Sequence, residues 1–252
     1  MLERAMSLVI GYVFGSFLTA NFVCERWTGK PATEIGQKNP GMTNVWRNVG
    51  WFPGLLVLIG DILKTLLAMA ISWVLFESSV GRICLQYAGL GAVLGHDYPI
   101  TARKKGGSGV TATTTWMIIG LGIPGCIAAL VAVAVIFLTG LMPLAAVVLA
   151  LAAVIVAFAT AGIETGLVFT AALVVMVCRH WHRLGKVVRG EEAYHLKLFG
   201  KRRNANNEAE AAEDAALNKQ LGAGAAMPPV PPATPAAAPK QPAKEGQTER
   251  SN

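Results

Sequence analysis

The sequence predicts an all-α, polytopic membrane protein of about seven transmembrane helices, with the N-terminus outside and the C-terminus in the cytoplasm. Three observations carry this prediction. More than half of the 252 residues are apolar and only 15% are charged, a balance that suits one helical membrane domain rather than two large globular ones. Apolar runs of near-spanning length recur from residue 2 to residue 178. Lysine and arginine gather in the segments between alternate runs, as they do on the cytoplasmic side of membrane proteins.

The first run, 2–23, has the look of a signal peptide but no convincing small-residue cleavage site, and further apolar spans follow it; it reads as the first transmembrane helix. The next runs, 54–75, 81–97, 110–123, 124–138, 142–161 and 163–178, suit a hydrocarbon core of about 30 Å, the shorter ones marginally. The stretch 110–138 is either one long tilted helix or two short ones broken at Gly122-Ile123-Pro124-Gly125.

Charge parity sets the count. The segments at 24–53 (Arg26, Lys30, Lys38, Arg47) and 95–109 (Arg103, Lys104, Lys105) are both basic and belong in the cytoplasm. Seven spans also bring the basic stretch from Arg179 to Arg203 to that side, where six would strand it outside. Residues 1–203 thus form the membrane domain. From Asn204 to Asn252 the sequence is rich in Ala, Pro, Glu and Asn, which reads as a disordered cytoplasmic tail with a possible short helix at 206–221.

Composition also excludes. The net charge of +7 is concentrated beside the last span, a juxtamembrane cluster rather than a nucleic-acid stripe. Cys24, Cys84, Cys126 and Cys178 form no CxxC pair and sit in or at the ends of apolar runs, so neither a disulfide framework nor a metal site is expected.

Three segments carry candidate chemistry. The first, Gly36 to Arg47, offers glycines, small polar side chains and a guanidinium to an anion; its plain alternative is an ordinary Asn/Gly turn. The second, Gly95-His96-Asp97-Tyr98-Pro99 followed by Arg103 to Thr111, places a glycine-rich stretch directly before a span. Backbone amides at a helix start suit a phosphate, although neither a Walker loop nor a nucleophile elbow is present. The third, Arg179-His180-Trp181-His182-Arg183 through Glu192, has histidines two apart that point to different helix faces, against a shared metal, and by its Trp181 and basic residues reads alone as an interfacial anchor. Within the second span, Asp61 and Lys64 sit three apart and form a structural polar pair or face a polar cavity.

In order, these segments resemble the acyl-phosphate-dependent glycerol-3-phosphate acyltransferases of bacteria, the PlsY family, over roughly residues 7–192. That family's Ser-Gly-Asn-x-Gly-Ala-Thr-Asn-x-x-Arg run is matched by Asn39, Gly41, Thr43, Asn44 and Arg47, and its Asp-x-x-Lys by Asp61 and Lys64. Its Gly-His-x-(Phe/Tyr)-Pro and Lys-Gly-Gly-Lys-Gly-Val motif aligns with Gly95, His96, Tyr98, Pro99, Lys105, Gly106, Gly107, Gly109 and Val110. Three polar positions depart: Gln37 stands for the family serine, Ser108 for the loop lysine and Arg183 for an asparagine.

The resemblance implies transfer of an acyl chain from acyl phosphate to glycerol 3-phosphate, giving lysophosphatidic acid in the bacterial cytoplasmic membrane, with no cofactor, metal or nucleic acid. It implies Arg47, Ser108 and His96 at the reacting centre, His96 more as a brace than as a base. Asn39, Gly41, Thr43, Asn44, Lys105, Gly106, Gly107, Gly109 and Arg183 would hold the substrates among membrane lipids. Two alternatives stay open: a non-catalytic protein of the same fold that binds a phosphate ester or phospholipid headgroup, and a small-molecule transporter.

Overall fold

The computed structural model describes residues 1–100 and 106–190. Expectations placed on Arg103, Lys104 and Lys105, and on the tail from Asn204, lie outside the described residues.

Among the described residues the structure is all helical. The first apolar run forms not one helix but two, α1 (Leu2–Gly15) and α2 (Thr19–Thr28). Ser16 turns its hydroxyl back to the Tyr12 carbonyl at 2.8 Å, and Leu18 leaves helical geometry at φ −89°, ψ 91°. The freed Phe17 carbonyl is taken by Lys64 from another helix at 2.9 Å, which is how a chain break inside a membrane domain becomes tolerable.

A single 3-10 turn (Ala32–Glu34) and short α3 (Met42–Asn48) shape the first polar segment, and α4 (Trp51–Val80) follows. At 30 residues α4 is about 45 Å long, so it overruns both edges of its apolar run. α5 (Ile83–Asp97) returns to the glycine-rich segment, and α6 (Val110–Leu121) leads away from it. α6 and α7 (Ile123–Thr139) are separate helices: Gly122 takes φ 67°, and Pro124 starts the second one. α8 (Met142–Thr160) and α9 (Ile163–Val188) complete the bundle. α9 runs well past the apolar stretch that ends at Cys178, so the third basic segment continues the helix as far as Val188.

Among the described residues, four segments are long and apolar enough to cross a membrane by themselves: 2–28, 51–80, 142–160 and 163–188. The outer surface agrees, with Leu63, Val74, Phe137, Leu138 and Ile155 exposed around the bundle, the arrangement of a multi-pass membrane protein.

The interior depends on glycine. Gly11 and Gly15 of α1 meet Gly91 and Gly95 of α5 so closely that a Cβ on Gly11 would fall 2.1 Å from the Ala88 carbonyl oxygen, and one on Gly91 2.1 Å from that of Leu8. This small-xxx-small contact brings backbones together where no hydrophobic effect separates lipid from protein. It also fixes the end of α5, which carries His96. Trp116 and Phe169 stack at 4.0 Å, tying α6 to α9.

Candidate active site

The site is assembled at one end of the bundle from a buried support, two polar segments and the last turns of α9. The support is Asp61, Lys64 and His96, each 5% exposed or less. Lys64 Nζ lies 2.9 Å from Asp61 Oδ1, 2.9 Å from His96 Nδ1 and 2.9 Å from the Phe17 carbonyl. The contact with Asp61 is an ion pair, and in the contact with His96 an ammonium can only donate, having no acceptor. His96 Nδ1 is then the acceptor, and the ring proton sits on Nε2.

That nitrogen is pressed against the second polar segment: a Cβ on Gly107 would fall 2.0 Å from His96 Nε2. Gly107 N–H donates to the His96 carbonyl at 3.0 Å. From the other side Arg179 donates through Nε to the Gly107 carbonyl at 2.8 Å and through Nη2 to the Gly106 carbonyl. Its guanidinium also lies 5.5 Å from the ring centre of Tyr98. The glycines are therefore clamped between α5 and α9, and a side chain at Gly106 or Gly107 would have to displace the segment.

Asp97 lies beneath the same segment. Its carboxyl group is fully buried, neither oxygen has a hydrogen-bond partner among the described residues, and both would be 2.8 Å from a Cβ on Gly109. Gly109 is the residue preceding α6 and has φ 66°. The buried side of the α6 N-terminus is thus occupied by the Asp97 carboxyl group.

The first polar segment is held by Asn44. Its Oδ1 accepts from Gln37 N–H at 2.9 Å and from Asn48 Nδ2 at 3.0 Å, while its Nδ2 donates to the carbonyls of Ile35 at 3.0 Å and Ala32 at 3.3 Å. This presents Gln37, Lys38 and Asn39 outward. Lys38 takes a left-handed φ of 56°, an uncommon conformation for a residue with a Cβ.

Between these elements lies a cleft of about 520 Å³, lined by Gln37, Lys38, Asn39, Gly106, Gly107, Ser108, Arg179, His180, Arg183 and Lys186. Four of these are Lys or Arg and none is acidic. Arg179, Arg183 and Lys186 follow the i, i+4, i+7 spacing that puts them on one face of α9. Such a lining suits phosphate groups, which gain charge-assisted hydrogen bonds and glycine backbone without a competing carboxylate.

Of the residues singled out from sequence, Asn39, Gly106, Gly107, Ser108 and Arg183 line this cleft. His96 lies behind the loop as a brace. Asn44 is turned inward, its amide engaged by the first segment. Gly41 precedes α3; Thr43 and Arg47 are on α3, and neither lines the cleft. Gly109 faces Asp97. Lys105 is outside the described residues. Lys38, Arg179, His180 and Lys186 were not singled out as ligands, although the spacing on α9 carried the signal.

A family profile described as "Glycerol-3-phosphate acyltransferase" matches residues 5–190. A glycerol-3-phosphate acyltransferase 1 from Lactobacillus johnsonii is 35% identical, over 70% of this chain and 84% of its own length. A glycerol-3-phosphate acyltransferase from Halorhodospira halophila is 33% identical, over 74% of this chain and 93% of its own. Among solved structures, the glycerol 3-phosphate form of PlsY, an integral membrane glycerol 3-phosphate acyltransferase, superposes with a TM-score of 0.66 at 23% identity, covering 77% of this chain and 96% of that one. Its lysophosphatidic acid form gives 0.65 at 22% identity, covering 76% and 94%. At that identity the structural likeness speaks to the fold.

Proposed function

The chain belongs to the glycerol-3-phosphate acyltransferase family, and from that premise we propose that its cationic cleft binds glycerol 3-phosphate together with an acyl phosphate donor. The chain is a multi-pass membrane acyltransferase of phospholipid synthesis; the non-catalytic alternative is not favoured. The donor, the roles of individual residues, the seven-span count and a location in the bacterial cytoplasmic membrane with the cleft facing the cytoplasm are part of the proposal.

The observation that carries the reading is the lining itself: Lys38, Arg179, Arg183 and Lys186 around a clamped glycine segment, with no carboxylate among the described lining residues. Two phosphate-bearing substrates need more than one cation and lose affinity to an acid. The primary hydroxyl oxygen of glycerol 3-phosphate attacks the acyl carbon, the bond from that carbon to the phosphate oxygen breaks, and inorganic phosphate leaves. The hydroxyl proton departs on the released phosphate.

An acyl phosphate already has a good leaving group, so alignment and charge stabilisation carry the step. Arg183 and Lys186 neutralise phosphate, Ser108 and the glycine backbone donate to it, and Asn39 orients the acceptor. His96, lacking a face on the cleft, positions Gly107 and is not the base.

A donor comparison tests the proposal. Purified protein in lipid vesicles is given labelled glycerol 3-phosphate with palmitoyl phosphate, palmitoyl coenzyme A or palmitoyl acyl carrier protein. Lysophosphatidic acid from palmitoyl phosphate alone is the expected result. Product from a thioester donor with none from palmitoyl phosphate would overturn the assignment of the donor.

A further inference from the structure

At the end of the bundle remote from the cleft, Arg82 joins two cavities of opposite character. One is a polar cleft of about 550 Å³ whose lining includes Arg82, Gln86, Gly120, Thr160, Glu164 and Thr165. The other is an apolar groove of about 580 Å³ among Leu66, Met69, Trp73, Leu85, Ile119 and again Arg82. It lies between α4, α5 and α6.

The polar groups of the first cavity are unequally occupied. Glu164 accepts from Arg4 Nε at 2.6 Å, Arg4 Nη2 at 3.1 Å and the Tyr87 hydroxyl at 3.2 Å. Gln86 accepts from Trp116 Nε1 at 2.8 Å and donates to the Gly120 carbonyl at 3.1 Å. Arg82, exposed just before α5, makes no ion pair among the described residues. The uncompensated charge of this cavity pair is thus one guanidinium, placed where a headgroup pocket meets an acyl-sized groove.

We propose that the two cavities hold one anionic phospholipid from the leaflet opposite the active site. Its phosphate pairs with Arg82, its headgroup hydroxyls meet the Thr160 and Thr165 side, and one acyl chain lies along the groove. A zwitterionic headgroup fits less well, because its ammonium would need a carboxylate and Glu164 is already committed to Arg4. The lipid would bridge α4, which carries Asp61 and Lys64, to α5, which carries His96.

Native mass spectrometry of the full chain, with phosphatidylglycerol or phosphatidylcholine added to detergent-purified protein, tests this. Wild type is expected to retain one phosphatidylglycerol in preference to phosphatidylcholine, and Arg82→Gln to weaken that retention by about tenfold, the loss of one charge-assisted contact. Ala70 also lines the groove, and Ala70→Trp, which fills it while leaving Arg82 in place, should lower retention similarly. Both variants are expected to keep transferase activity, which reports that they fold. Equal retention of the two lipids by wild type, or phosphatidylglycerol retention unchanged in Arg82→Gln, would overturn the proposal; retention unchanged in Ala70→Trp would remove the groove from it.

Discussion

Lys64 Nζ lies 2.9 Å from His96 Nδ1, and through that contact a buried ion pair on α4 fixes the tautomer of the histidine that supports the glycine segment. The pair is expensive to break from one side. Lys64→Met leaves Asp61 buried and unpaired, so it should destabilise the fold by about 3–5 kcal/mol, read from unfolding in detergent. Adding Asp61→Asn to that variant should recover most of the loss. A double variant as unstable as Lys64→Met would mean that the ammonium matters chiefly through Phe17 and His96.

Gly107→Ala should act on the reaction more than on folding. Its Cβ would fall 2.0 Å from His96 Nε2, so the segment must move by a substantial part of an ångström. Displacement on that scale costs about 100-fold in rate when alignment is the main source of catalysis. Initial rates at saturating substrate, with thermal stability measured in parallel, separate the two effects.

Arg179→Lys keeps a cation in the cleft but cannot reach the Gly106 and Gly107 carbonyls as a fork does. Loss of one charge-assisted hydrogen bond, worth about 1.5–3 kcal/mol, predicts a fall in kcat/KM of roughly 10- to 100-fold. A wild-type rate in Arg179→Lys would show that the clamp is dispensable.

Ser108 and Arg183 line the same cleft, and both depart from the family pattern, a lysine being lost at one position and a cation gained at the other. If α9 now supplies the charge, Arg183→Asn should raise the KM for glycerol 3-phosphate by about tenfold, one charge-assisted contact. Ser108→Lys in that background should restore it. Absence of rescue would show that the two positions are not interchangeable sources of charge.

The helical membrane fold and the polar segments were legible because both depend on local pattern. Apolar runs mark spans, and the glycines around Gly107 announce a place without room for side chains. What escaped was direction. Asn44 and Arg47 have the spacing of a ligand-binding run, yet the turn of α3 aims Asn44 into the first segment and leaves Arg47 outside the cleft lining. Arg179 and Lys186 read as part of a basic anchor because the helix carrying them outlasts its apolar stretch. The α1–α5 contact rests on Gly11-xxx-Gly15 and Gly91-xxx-Gly95, a spacing that bears on helix approach and that a reading of span lengths passes over. The break at Ser16 had no signal of comparable strength, since it depends on Lys64 reaching the Phe17 carbonyl from α4.

That the cleft between Asn39, Ser108 and Arg183 is where acyl transfer takes place is tested most directly by lysophosphatidic acid formation from palmitoyl phosphate and labelled glycerol 3-phosphate in lipid vesicles. Wild type and the Arg183→Ala/Lys186→Ala double variant are compared at equal amounts of folded protein. Loss of two phosphate-facing cations predicts a fall in kcat/KM of at least about 100-fold. A double variant that forms product at the wild-type rate would contradict the assignment and move the active site away from α9.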